Sequence, residues 1–285
     1  MPSAVLTRTR RETPARGGIH LAEWACEAGG TALLLLGGLS AVFINFGPHS
    51  VLRELATSPR LLVTGLLFAG TGSLVAVSPL GRRSGAHLNP VVTLAFWTQG
   101  KVHPHDLAGY VLAQLGGAVA GTALAAALWG GEARAVHLGA TMPGHGITAA
   151  QATLIEVGMT SLLVLALLLL TSSASTARWT PLVLWPLIAG FVWQGARFTG
   201  TSLNPARSLG PALLAPALTD YWVYVLGPLG GGAVAVGLFS LLRERRVLTA
   251  KLFHDPRYPS TMGSDLPTAP PRTETRNGSA SRGRR

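Results

Sequence analysis

One cysteine, Cys26, in 285 residues leaves no partner for an intrachain disulfide. Charge is scarce as well. Only 12% of the residues are Asp, Glu, Lys or Arg, against about 25% in a soluble domain. Acidic residues are the rarer sign, 12 against 23 Lys and Arg, for a net charge of +11. That excess does not indicate nucleic acid, because it is not spread over a folded surface. Four of the 23 basic residues lie before residue 17 and ten lie from Arg243 onward. Basic ends around an apolar middle are the pattern of a membrane protein whose cationic segments stay inside the cell. Residues 1–19 contain no apolar run, so no cleavable signal peptide is expected. His103, His105, His137 and His145 fall in loops at spacings that suggest no metal site. No metal and no other cofactor is expected.

Apolar residues make up 48% of the chain, with 35 glycines. Membrane helices use glycine for close packing, and a span needs about 20 apolar residues. Six segments qualify: Leu21 to Ile44, Leu61 to Val77, His105 to Trp129, Ala150 to Leu170, Pro181 to Gln194 and Tyr221 to Leu242. Residues 1–19 and 246–285 are basic and rich in Pro, Ser, Thr or Gly, a composition that cannot bury enough apolar surface to order itself. They read as disordered tails around a membrane domain of residues 20–245. Six spans put both ends on one side. Arg82, Arg83, Lys101 and the Arg243, Arg245 and Arg246 cluster place that side in the cytoplasm.

Two stretches stand apart. Ser84-Gly85-Ala86-His87-Leu88-Asn89-Pro90-Val91 is echoed by Gly200-Thr201-Ser202-Leu203-Asn204-Pro205-Ala206-Arg207, the two asparagines lying 115 positions apart. Asn is a strong N-cap, and Pro suits the first helical position. Each motif therefore reads as a loop ending and a helix beginning. The apolar runs that follow, Val91 to Trp97 and about Pro205 to Leu214, are too short to cross a bilayer and read as re-entrant half-helices.

Other features repeat in the same order. Glu27 and Thr31 match Glu156 and Thr160; Leu115-Gly116-Gly117 matches Leu229-Gly230-Gly231. The repeats span about 20–130 and 150–243. Each holds three spans, an odd number, so the second is inverted relative to the first. Inverted repeats place functional sites near the midplane, at the N-termini of broken helices. The fold expected is therefore an all-α membrane protein of six transmembrane helices plus two re-entrant half-helices. Loops at that depth must be buried in protein or wetted, so they would line a path with carbonyls. Two facing helix N-termini bring positive partial charge there, which disfavours cations and protons and admits neutral solutes. Intramembrane acids such as Glu27 and Glu156 are costly and usually have a role. Their symmetric placement favours support of the loops over ion coupling.

These residues resemble the aquaporin, or major intrinsic protein, family from about Leu21 to Leu242. The resemblance implies a bundle that usually forms a homotetramer with one pore per subunit. By carry-over, Asn89 and Asn204 are pore-centre donors and Arg207 belongs to the outer constriction. Glu27 and Glu156 hold the loops; Gly85, Ala86, His87, Gly200, Thr201 and Ser202 present carbonyls. Counting without gaps, Ala69, Val192 and Thr201 complete the selectivity filter with Arg207; a shift of one residue would bring in Phe68. Ala and Val at those positions imply a wider, more apolar filter than a strict water pore. Ser208, Ala212, Tyr224 and Val225 look like plant nodulin-like intrinsic proteins and their bacterial relatives, which pass glycerol, urea and neutral metalloid hydroxides. The first box is Asn-Pro-Val rather than Asn-Pro-Ala, a change expected to alter packing between the half-helices.

The reading is a passive channel for water and small uncharged solutes in the cell membrane of a bacterium, with the lipid bilayer and copies of itself as partners and no nucleic acid. A strict water channel is the alternative. An ion-coupled transporter and a closed structural protein have less support, and no residue pairing suggests an enzyme.

Overall fold

The computed structural model describes residues 18–258, 260–261 and 263–266. The expected N-terminal tail falls, up to residue 17, outside the described residues, as does the chain beyond 266. The described residues form eleven α-helices: α1 (Leu21–Phe46), α2 (Thr57–Val77), α3 (Pro79–Ser84), α4 (Pro90–Thr98), α5 (Pro104–Trp129), α6 (Gly131–Ala135), α7 (Ala149–Thr171), α8 (Ala174–Ala177), α9 (Thr180–Thr199), α10 (Pro205–Leu214) and α11 (Val223–Ser240).

Six of these are the expected spans. Five (α1, α2, α5, α7 and α11) are long and apolar enough to cross a membrane by length and composition alone. The sixth, α9, is 20 residues long and carries Pro186 and Arg197, which dilute its apolar character. Leucines 112, 124, 128, 154 and 162 on the spans are exposed. Exposed large apolar side chains in such numbers suit a lipid-facing surface better than a wetted one.

Small residues set the packing. A β-carbon on Gly117 would lie 2.3 Å from the Ala28 carbonyl oxygen, and one on Gly121 the same distance from that of Ala32, so α1 and α5 meet backbone to backbone. The second repeat does the same, with Gly227 and Gly231 of α11 against Glu156 and Val157 of α7. Gly116 does not share this role, since nothing lies within 4 Å of its missing side chain. The two short helices cross between repeats: α4 packs on α11 of the second half and α10 on α5 of the first. That exchange brings the N-termini of α4 and α10 together.

One end of the bundle gathers both ends of the described chain. Glu23 pairs with Arg83 at 3.2 Å, His20 with Asp106 at 2.8 Å, and Lys101 with Asp265 at 2.6 Å. The residues after α11 differ from the expected unstructured tail beginning at 246. Val247, Thr249, Ala250 and Lys251 are buried. Leu248 donates from its backbone N–H to the Thr171 carbonyl at 2.9 Å. Composition averages over the whole tail and hides this segment, whose Val247, Leu248, Ala250 and Leu252 supply the apolar contacts that the rest lacks.

Candidate functional site

Asn89 and Asn204 cap the two facing half-helices. The side-chain oxygen of Asn89 accepts from the Val91 N–H at 2.9 Å, and that of Asn204 from the Ala206 N–H at 2.9 Å. Each amide nitrogen then crosses to the other repeat. Nδ2 of Asn89 donates to the Leu203 carbonyl at 2.9 Å, and Nδ2 of Asn204 to the Leu88 carbonyl at 2.7 Å. An amide nitrogen carries two N–H donors, so each asparagine keeps a second one. Both side chains line one inner cavity, with Ala86, His87, Ser202 and Arg207 also on its wall.

The loops before the caps are matched position by position. Gly85, Ala86 and Leu88 have φ values of 103°, 55° and 52°; Gly200, Thr201 and Leu203 have 74°, 51° and 58°. A side-chain-bearing residue with φ above zero is uncommon and costs on the order of 1–3 kcal/mol. Four such residues persist because buried acids brace them. Glu27 accepts from the Ser84 hydroxyl (2.7 Å), the N–H groups of His87 (3.0 Å) and Leu88 (2.8 Å), and Gln114 Nε2 (2.8 Å). Glu156 accepts from the Thr199 hydroxyl (2.7 Å) and the N–H groups of Ser202 (2.9 Å) and Leu203 (2.8 Å). Both glutamates are fully buried. With their N–H groups held by the acids, Leu88 and Leu203 give their carbonyls to the asparagine of the opposite repeat.

Arg207, on the first turn of α10, donates to the Gly139 carbonyl at 2.9 Å. Its guanidinium lies 5.2 Å from the centre of the Phe68 ring, within cation–π range. An outer cavity lies beyond it, lined by Val192, Ala196, Gly200 and Thr201 among others. Phe68, Ile188, Ser202, Leu203 and Arg207 line both cavities and so bound the neck between them. Of the expected filter residues, Thr201, Val192 and Arg207 share the outer cavity. Ala69 is buried and lines only the inner one. Phe68 packs against Arg207, and Ile188, one turn before Val192, adds an apolar side to the neck.

The expected carbonyl-presenting residues divide. Ala86, His87 and Ser202 line the inner cavity, and Gly200, Thr201 and Ser202 the outer one. Gly85 lines neither; its carbonyl accepts from the backbone N–H of Leu252 at 2.9 Å. His87 is fixed on both ring nitrogens, Nδ1 by the Thr93 hydroxyl at 3.1 Å and Nε2 by the Ala250 carbonyl at 2.6 Å. Leu252 lines the inner cavity.

Sequence reading missed Ile188, Leu252 and Gln114. For Gln114 a signal existed: it precedes Leu115-Gly116-Gly117, where the second repeat has Pro228 before Leu229-Gly230-Gly231. Pro228 has no side-chain donor for Glu156, and only Glu27 receives this fourth bond.

Two inverted repeats of three spans, each with a capped half-helix that starts at a shared inner cavity, define a multi-pass membrane protein. Residues 21–239 match the family described as major intrinsic protein. The chain belongs to that family. It is 34% identical to aquaporin NIP1-1 of Zea mays over 224 residues, 76% of this chain and 73% of that one. It is 36% identical to aquaporin-2 of Rattus norvegicus over 206 residues, 70% and 74% of the two chains. A probable aquaporin, AqpM, of Archaeoglobus fulgidus is 37% identical over 187 residues, covering 63% of this chain and 76% of its own. The fold resembles the solved aquaglyceroporin from Plasmodium falciparum, with a TM-score of 0.65, 21% identity, and coverage of 77% of this chain and 95% of that one.

Proposed function

We propose that the chain is a passive channel for water and small uncharged solutes such as glycerol, urea or neutral metalloid hydroxides, and that it excludes ions and protons. It acts in the cell membrane with both termini in the cytoplasm, as a homotetramer with a pore in each subunit. The observation that carries this reading is the asparagine pair. Each amide gives one N–H to the opposite loop and keeps one at the cavity wall. A solute passing there meets donors held by two helix N-termini, whose positive partial charge repels cations.

The neck suits a solute that is polar on one side. Ile188 adds an apolar side to the neck, and Arg207, with Phe68 packed against its guanidinium, adds a polar one. A polyol can place its C–H edge on the former and its hydroxyls on the latter. The strict water channel remains the second reading, favoured by the Phe68 ring over Arg207, which narrows the neck more than Ala69 would. Glu27 and Glu156 serve the loops and not ion coupling, since their oxygens are occupied by loop donors. Purified protein in vesicles, challenged with a glycerol gradient in stopped flow, tests the proposal. Glycerol flux above that of empty vesicles, unchanged by a proton gradient, supports it. Flux that follows the proton gradient overturns it in favour of coupled transport.

A further inference from the structure

We propose that His20, His105 and Asp106, with His103 beside them, form a binding site for a divalent transition metal of the zinc type. Residues 20 and 103–106 are distant in sequence, which is why spacing alone gives no hint of the site. His20 directly precedes α1, and His105 and Asp106 stand in the first turn of α5. One ring nitrogen from each of His20 and His105 and one carboxylate oxygen of Asp106 all lie within 4.8 Å of one another. His20 Nδ1 is 2.8 Å and His105 Nε2 3.5 Å from Asp106 Oδ2. A tetrahedral ion with bonds of about 2.0–2.1 Å holds neighbouring ligand atoms roughly 3.3 Å apart, between those two values.

A further observation points to a ligand. Nε2 of His105 is buried without a hydrogen-bond partner, a condition that costs about 1–3 kcal/mol and that a metal ion relieves. The His103 ring stacks on His105, centroids 5.1 Å apart, and holds that ring in place. Asp106 is oriented for the task, because its other oxygen accepts from Trp24 Nε1 at 2.9 Å. The His105 side chain is 38% exposed, which leaves a way in. Imidazoles with one carboxylate suit zinc and its neighbours, whereas calcium and magnesium prefer oxygen ligands. Occupancy would clamp the start of α1 to the start of α5.

Zinc titration of the metal-stripped full chain in detergent, followed by calorimetry and by thermal shift, tests this. The expected result is saturable binding of one zinc per chain with a rise in melting temperature. His105→Ala, which removes a 3.5 Å contact to Asp106 but no hydrogen bond found among the described residues, should weaken binding at least about 10-fold and abolish the thermal shift. His20→Ala should act likewise, and His145→Ala should change neither. Absence of saturable binding, or equal binding by His105→Ala and His20→Ala, overturns the proposal.

A separate observation carries a second inference. We infer that the segment after α11 closes the mouth of the pore at the end of the bundle that holds both chain ends. Ala250 and Leu252 bond to His87 and Gly85, two residues of the first loop. Lys251 Nζ donates to the carbonyls of Arg82 at 2.6 Å and Tyr258 at 3.1 Å. Leu252 stands in the inner cavity. The segment thus ties itself to the first loop through the Gly85 carbonyl and sets Leu252 at the cavity wall. This inference rests on the channel reading. It is tested by comparing water flux, at equal incorporation, for the full chain, a chain ending at Arg246, and Leu252→Ser in the full chain. Several-fold faster flux in either variant supports it, and the single substitution decides should the shortened chain fail to fold. Flux in Leu252→Ser equal to the full chain overturns it. Failure of the channel reading would look different, with no flux in any of the three.

Discussion

The side chain that Gly232 lacks would lie 2.5 Å from Cγ1 of Val91. Val91 stands in the first box, buried to 1%, and α4 packs directly on α11. The valine is accommodated because glycine faces it. Gly232→Ala should therefore destabilise the protein by about 1–3 kcal/mol through overpacking. Val91→Ala should relieve the clash, so the double variant should melt near the parent. Thermal melts of the four proteins give the coupling; independent effects would show that the two side chains do not meet.

Glu156→Gln keeps the volume of the side chain and removes one acceptor oxygen. The Thr199 hydroxyl and the Ser202 and Leu203 N–H groups cannot then all be matched, and an unsatisfied buried donor costs about 1–3 kcal/mol. The expected outcome is a lower melting temperature together with reduced permeability, as the loop with positive φ at Thr201 and Leu203 relaxes. Glu27→Gln should behave the same way at the first loop.

Arg207→Val removes the cation at the neck and leaves its volume partly empty. Proton or sodium leak through the vesicles should rise, measured with a pH-sensitive dye, while neutral-solute flux persists. Leak at the parent level would place the ion barrier elsewhere.

Burial pulls the Lys251 ammonium down from 10.5 to about 8, against the opposing pull of Glu23 and Asp255. Arg82, whose carbonyl Lys251 meets, is itself paired to Asp255 at 2.9 Å. The docked segment prefers neutral Lys251. Docking therefore gains stability as pH rises above about 8, is most favoured above 10.5, and loses that gain as pH falls through 8. Flux should accordingly decline between pH 7 and pH 9. Lys251→Met, neutral at every pH, should flatten that dependence.

Much of this was legible in the chain because it depends on short-range rules. Spans show as apolar length, and Asn89 and Asn204 show as caps followed by Pro90 and Pro205. Glu27 and Glu156 show as acids where acids are costly. What escaped depends on geometry that the sequence does not carry locally. The choice between Phe68 and Ala69 is a matter of about 100° of helix rotation, which ungapped counting cannot resolve. The Val91–Gly232 and His20–Asp106 pairings join residues far apart in the chain. The docked stretch around Leu252 vanished in a tail average dominated by Pro, Ser and Arg.

The central claim is a neutral-solute pore whose selectivity is set at Phe68, Ile188, Thr201 and Arg207. Stopped-flow permeability of vesicles holding the full chain, compared for water, glycerol, urea and a metalloid acid, tests it most directly. The account predicts passage of water and of at least one of the other three above empty vesicles. Passage of water alone would contradict the solute reading and leave a strict water channel.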